Sequence, residues 1–307
     1  MTVVTAAQGS ESRLLVKKQS ALGSVATGNF SRLRFNTHSF DPAIGAVESN
    51  EIRDDREVEE FRHGNKNGAG QIAAELCYGD HDILIESALF SAFVGNNIQI
   101  GKTRQYLSIE DGATDIGKYR MFWDMIGNKL EFSIQPNGMT LLTWDGVGLA
   151  VNAPAGSSSG GTPVAASTNK PFDSFTSALY DVDPETGSEV AIITGLKFSI
   201  DNKVSATFAN GQQSGVSLSS ESAMVSGQFT ALYDSDTWLN RFLNETEFPL
   251  VQLLTDPGGN TMRFEMPRVK LADAKIPVVD KKNRIITAQF RALRGASLGT
   301  AFKITKS

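Results

Sequence analysis

The sequence predicts a mainly β protein built as two tandem sandwich or barrel domains, each carrying one short α-helix on its flank. Three observations lead there. A strand-turn-helix unit is written twice, as Gly70–Phe90 (GQIAAELCYGDHDILIESALF) and Gly227–Leu243 (GQFTALYDSDTWLNRFL). Runs that alternate apolar and polar residues, the pattern of half-buried strands, fill both halves of the chain. Between the halves the composition shifts abruptly to Gly, Ser, Ala and Pro.

Each copy of the unit opens on a Gly-Gln pair and an alternating run that ends at Tyr78 or Tyr233. With the tyrosines aligned, Leu84 falls on Leu239 across an acidic, polar turn. The period then becomes helical. Ile83, Leu84, Ser87 and Ala88 share one face, as do Trp238, Leu239, Phe242 and Leu243, behind Asp80 or Ser235 as candidate N-caps.

Taken in order, residues 1–29 read as an N-terminal arm, with Leu14–Val16 their only apolar cluster and a partner surface needed to hold them. Leu33 and Phe35 suggest a first strand. Asp41–Asn67, dense in charge from Glu48 to Glu60 and ending in HGNKNGAG, reads as a long exposed loop or protruding hairpin. Asn97–Gly112 alternates around a break at Gly101. Met125–Ile134 and Met139–Gly148 flank Pro136-Asn137-Gly138, where Asn-Gly is a strong hairpin signal. Residues 30–150 thus make a first domain, and residues 151–175, led by VNAPAGSSSGGTPVAASTNK, an exposed, flexible linker with almost nothing to bury.

The second domain, residues 176–300, repeats the order. Glu189–Ile200 and Val204–Phe208 read as strands joined at Asp201-Asn202, and Ser217–Ser226 as a polar approach to the second copy. Leu250–Leu254 and Met262–Met266 flank the turn Asp256-Pro257-Gly258-Gly259. Lys270-Leu271 is expected where Lys129-Leu130 stands in the first half, and Arg284–Leu293 closes the second half as Met139–Gly148 closes the first. Residues 301–307 are a C-terminal tail. A repeat of about 120 residues is too long for a solenoid module, so duplication of a whole domain is the better account.

Composition narrows the function classes. With 307 residues, 40% of them hydrophobic, the chain can supply a core to each domain. A formal charge of -5 argues against a surface that grips phosphates. The single cysteine, Cys77, lies in a strand pattern, excludes an internal disulfide and suits a reducing cytoplasm. No apolar run approaches the ~20 residues of a membrane helix, and no secretory leader is evident.

Chemistry is sparse. The sequence lacks GxGxxG, a phosphate-binding GxxxxGK[ST], HExxH, paired CxxC and GxSxG. His38, His63 and His81 stand in polar surroundings, far apart in sequence. Asp80-His81-Asp82 offers metal-ligand or acid-base chemistry, yet the second copy has Ser235-Asp236-Thr237 there, so a helix start with solvated side chains is the better reading. Asp181-Val182-Asp183-Pro184-Glu185-Thr186-Gly187 begins like a calcium loop, but its glycine is one place late and Ile192 stands where the final Glu belongs. It reads as a turn. The mixed-sign run Arg53–Glu60 reads as a solvated face or subunit contact. No catalytic, cofactor-binding or metal-ligating residue is therefore assigned, no cofactor is expected, and the chain is not expected to be an enzyme.

A resemblance adds to this. The order LRF, a charged EIRDDRE loop, AELCYGDHDILIESAL, YLSIEDGATDIGKYRMFWDMIGNKLEFSI and MTLLTWDG closely resembles the tail tube (major tail) proteins of long-tailed, siphovirus-like bacteriophages. It covers most of residues 30–150 and continues more weakly to about residue 295. Its most specific parts are Glu51-Ile52-Arg53, Tyr78 with the Ile83–Leu89 helix, and Ile109-Glu110-Asp111-Gly112 followed by Asp115-Ile116-Gly117.

The resemblance implies a structural virion protein, made in the host cytoplasm, whose tail-tube-type sandwich domains join inner-sheet strands into rings. Rings stack into the tail tube, the conduit for genome delivery. Implied partners are further copies of itself, tape-measure protein and phage DNA in the lumen without specific binding, and tail-terminator and tail-tip proteins, with no membrane. Open sheet edges template further pairing, and ring closure removes them. Residues 1–29 and Asp41–Asn67 are the candidate ring-to-ring contacts, and the acidic balance leads us to expect a net negative lumen. Rings of the family place six tube domains around the axis. A duplicated chain then needs three copies, a trimer with pseudo-sixfold appearance, whereas a second half that merely elaborates one larger domain needs a hexamer. The alternatives are a tail-terminator or baseplate relative of the same fold, and a doubled β-sandwich binding module or hydrolase, which would need a concave cluster of polar or aromatic groups.

Overall fold

The computed structural model describes residues 6–307 except 53, 55, 56, 58, 59, 182–192 and 279–282, and among these described residues it sets out eighteen strands and two α-helices. The first half holds β1 (Ser12–Lys18), β2 (Ser31–Leu33), β3 (Thr37–Glu48), β4 (Phe61–Glu75), α1 (Asp82–Leu89), β5 (Asn97–Gln99), β6 (Leu107–Ala113), β7 (Lys118–Ile134), β8 (Leu141–Gly148) and β9 (Ala150–Val151). The second holds β10 (Ser177–Tyr180), β11 (Ile193–Asp201), β12 (Ser205–Thr207), β13 (Ser217–Ser219), β14 (Met224–Leu232), α2 (Thr237–Leu243), β15 (Phe248–Thr255), β16 (Thr261–Lys275), β17 (Ile285–Ala292) and β18 (Lys303–Lys306). The fold is mainly β, and the named strands pair antiparallel.

The halves repeat strand by strand. In the first, neighbours run β3-β4-β8-β7-β6-β1. In the second they run β11-β14-β17-β16-β15-β10. Even the irregularities repeat. The register shifts between Leu107 and Ile109 and again between Gly127 and Lys129. It shifts between Phe248 and Leu250 and again between Leu271 and Asp273. Matched bulges put Asp273-Ala274 opposite Gln289 and Ala288 where Lys129-Leu130 faces Asp145 and Trp144. The expected match of Lys270-Leu271 to Lys129-Leu130 is therefore three residues out, because it ignores the lengths of the preceding turns.

The repeated Gly-Gln pair has a packing cause. Phe40 lies opposite Gly70 and Phe198 opposite Gly227. A Cβ at Gly70 would fall 2.2 Å from the Phe40 ring, and one at Gly227 would fall 2.8 Å from the Phe198 Cβ and 2.4 Å from Phe290. Each glycine makes room for an aromatic residue of the neighbouring strand.

The helices occupy equivalent places. Leu84, Ile85, Ala88 and Leu89 of α1 are buried, and Ser87 accepts a hydrogen bond from the Gly127 amide of β7 at 3.0 Å. Phe90, left-handed at φ 50°, ends the helix. In α2, Trp238 packs on Phe229 and Phe248. Neither expected N-cap forms: the caps are His81 and Asp236, without side-chain capping bonds.

The chain ends and the middle segment are more tightly integrated than their composition suggests. The arm expected at residues 1–29 contains β1, which runs between β2 and β6, with Leu14, Leu15 and Val16 buried. Both faces are covered, since Leu15 joins a small second core with Ala26, Phe30 and Met121. The tail expected at 301–307 contains β18, which pairs with β16 on one side and β5 on the other and buries Phe302 and Ile304. Residues 151–175 face solvent for much of their length but are bound as a strap. Ser158 and the Ser159 amide donate to Glu110, the Phe30 amide to Gly160, the Ser167 amide to Asp80, and Asn169 to the Tyr78 carbonyl, while Phe172 is fully buried. Small polar residues cannot build a core, but they supply the donors and acceptors that hold a strap down. Asp41–Asn67 does form a hairpin, β3 with β4. The strand expected over Val204–Phe208 pairs with β13 instead of β11.

Two strand pairings join the halves. Six residue pairs join β7 to β11, from Leu196 opposite Ile134 to Asp201 opposite Lys129, and β18 reaches β5. One apolar core consequently runs from Leu14 to Ile304 where a core for each half was expected.

Candidate functional site

Most of the described residues that sequence chemistry singles out are held in contacts within the fold. His81 is fully buried, not solvated. The Cys77 amide donates to its Nδ1 at 3.4 Å and its Nε2 lies 3.1 Å from the Arg34 carbonyl, an arrangement that suits a neutral ring protonated on Nε2. Burial lowers its pKa. Asp80 pairs with Arg34 at 3.4 Å, and Asp82 pairs with Lys306. The three residues thus tie β18, the strap and α1 together. His38 lies 3.5 Å from Asp111, which also holds Arg120, and burial lowers the His38 pKa despite that carboxylate. Burial raises the Cys77 thiol to about 11, which disfavours the thiolate that a nucleophile needs. Of the calcium-like stretch only Asp181 is described, and it holds Arg241 at 2.6 Å; positions 182–192 lie outside the described residues, as does most of Arg53–Glu60. Among the described residues no cluster of three or more His, Cys, Asp or Glu is arranged to hold a metal. The broad hollow of about 790 Å³ beside β2 is lined by Arg13, Arg32 and Arg34, of which Arg13 and Arg34 are engaged with Glu110 and Asp80.

The feature with functional geometry is the sheet running β3-β4-β8-β7-β11-β14-β17-β16. Alternation gives it an apolar face on the core and a polar face bearing Thr143, Asp145, Glu131, Lys197, Gln228, Gln289 and Arg291. At the join, Phe132 and Phe198 stack on the core side with centroids 5.2 Å apart, and Phe264 closes on both at 4.8 and 5.5 Å. On the polar side Lys197 of β11 meets Glu131 of β7 at 2.8 Å, with Lys129 at 3.0 Å. Burial raises the Glu131 carboxyl, but hydrogen bonds from Lys197 and Lys129 outweigh it and leave the pKa lowered.

Both ends of this run are open. Among the described residues β3 pairs only with β4, and the Leu271–Lys275 part of β16 pairs only with β17. Sequence reading missed these edges as sites. The available signal is proline inside alternating segments, Pro42 in β3 and Pro277 just after β16, since proline is tolerated where an edge faces no neighbour.

A family model described as phage tail tube protein matches residues 9–292, from the approach to β1 through to the end of β17. No curated protein matches the sequence.

Proposed function

The chain belongs to the phage tail tube protein family and is thereby a structural component of the bacteriophage virion; from that premise we propose that three copies close into a ring and that rings stack into the conduit for the genome. The observation that carries this is the join of β7 to β11, which fuses two strand-for-strand equivalent halves into one sheet and, among the described residues, leaves one unpaired edge at each end. A chain of this kind is two domains in tandem, the first over residues 30–150 with β1 added and the second over 176–300 with β18 added. It already contains one side-by-side contact of the sort a ring repeats, and three chains supply six such units.

The polar sheet face then lines the lumen. Its paired charges, Glu131 between two lysines, and its many Thr, Ser and Gln side chains suit a wall that DNA and tape-measure protein slide past without being held. The β3–β4 hairpin beyond Ala43, with Ile44, Val47 and Phe61 exposed, provides the axial contact between rings, and tail-terminator and tail-tip proteins meet the tube's ends. On this reading the chain has no catalytic role and is made in the host cytoplasm. Native mass spectrometry of single rings, with end-on image averages free of imposed symmetry, tests the stoichiometry. Three chains with six lobes of two alternating shapes is the expected result. Six chains, or six identical lobes each of whole-chain mass, refutes it.

A further inference from the structure

The internal join carries more than the existence of a ring, because the duplication converts it into a residue-by-residue template for the contact between chains. The bulge-matched alignment places Lys129–Ile134 of β7 on residues 273–278, and the Phe40/Gly70 and Phe198/Gly227 pairs place Leu196–Asp201 of β11 on residues 38–43. Among the described residues, neither target segment has a strand partner on the required side. Resting on the ring reading above, we propose that the β16 edge of one chain pairs antiparallel with β3 of a second copy in one defined register: Phe40 opposite Ile276, Asp41 opposite Lys275, and Pro42 opposite Ala274.

Three features of these edges fit that occupant. Phe40 is buried and Ile276 packs partly against the core, so the pair continues the apolar side of the join where Phe198 meets Phe132. On the polar side Asp41 and Lys275 are opposite in sign, and both are exposed, at 77% and 70%. Their present partners, Arg120 at 3.2 Å and Asp273 at 2.7 Å, are surface ion pairs that exchange at little cost. Compared with the internal join, where β7 carries the acid and β11 the base, the polarity is reversed. Charge therefore favours β16 with β3 over β16 with β11, which places Ser199 instead of Asp41 opposite the lysine.

The prolines are compatible with this register. In an antiparallel ladder the directly opposed pairs alternate between hydrogen-bonded and non-bonded. Pro42 and Pro277 fall in opposite classes, since Pro277 faces Ser39. Whichever class points inward, one amide donor is missing and the others are available.

The test is disulfide trapping. Asp41→Cys with Lys275→Cys is made in the full chain and assembled, and the tubes are oxidised; Ser39→Cys with Pro277→Cys is a second pair that keeps both charges. The expected result is inter-chain bonds joining 41 to 275 and 39 to 277, with the covalent ladder stopping at a closed trimer. Single-cysteine controls give none. Assembled tubes in which neither pair links, or in which Asp41→Cys links to Asp273→Cys instead, overturn the register while leaving the ring reading intact. Failure of the unmodified protein to form any ring overturns the ring reading itself. As a second measurement, Lys275→Glu should abolish tubes at concentrations where the unmodified protein assembles, and Asp41→Lys in the same chain should restore them. Absence of rescue counts against the pairing.

Discussion

Phe132 of β7 lies directly opposite Phe198 of β11, their rings 5.2 Å apart and inclined by 29°, so the core side of the join between the two halves carries a fully buried aromatic stack. Phe264 and Phe302 complete the cluster around Phe198. Replacing Phe198 with Ala should cost about 3–5 kcal/mol of unfolding free energy, as truncation of a fully buried aromatic does. Urea denaturation measures it. A loss under about 1 kcal/mol would mean that the halves do not depend on this cluster.

Gly70 and Phe40 form a pair that one substitution should break and a second repair. Gly70→Ala drives a methyl into the Phe40 ring and is expected to cost about 1–3 kcal/mol. Adding Phe40→Leu should recover part of that loss. If the two changes are simply additive, the steric account of the repeated Gly-Gln pair is wrong.

Acid should weaken the fold through two histidines, His81 buried and His38 half-buried. His81 and His38 both have folded pKa values below the ordinary 6.5, so the unfolded chain binds protons that the folded one refuses. Their contribution is complete above the unfolded value and is lost as pH falls below it. The melting temperature should therefore be lower at pH 5 than at pH 7.5, and His81→Gln should shrink that difference while lowering stability at the higher pH. Equal pH slopes in the two proteins would exclude His81 as a source.

Deleting residues 301–307 removes Phe302 and Ile304 from the core and leaves β5 without its partner strand. Burial of two such side chains is worth roughly 3–6 kcal/mol. Circular dichroism melts of the truncated chain should show a loss of that order. A chain that melts unchanged would return the segment to the status of a tail.

The repeat was legible because its cause is local. A glycine that admits an aromatic ring, and helices whose apolar residues recur every three to four positions, leave letters that align by eye. The hairpin at Asn137-Gly138 was legible for the same reason, since Asn137 adopts φ 59° in the turn. What escaped was burial decided by distant chain. Leu14–Val16 and Phe302 with Ile304 are short apolar groups in polar company, and nothing nearby tells that β6, β16 and β5 will cover them. Composition described the strap correctly as poor in large apolar residues but could not register that Glu110, buried under it, needs the Ser158 hydroxyl and Ser159 amide. The polar neighbours of His81 likewise concealed its place inside the protein. The edges of β3 and β16 were marked only by Pro42 and Pro277, because an unpaired edge is defined by an absent neighbour.

The two halves differ at the far end of β3 and its counterpart β11. Where β3 runs on past Ala43 into the protruding hairpin, the equivalent Asp201 ends β11, and Asn202 turns back to bond the carbonyls of Ala88 and Gly127. In the proposed three-chain ring, axial fingers therefore occur at every second lobe, while lateral seams occur at every one. A wall tied more densely around its circumference than along its length resists bursting and ovalisation more than it resists bending. On the proposed ring, such a tube would bend along its axis more readily than its bore would change.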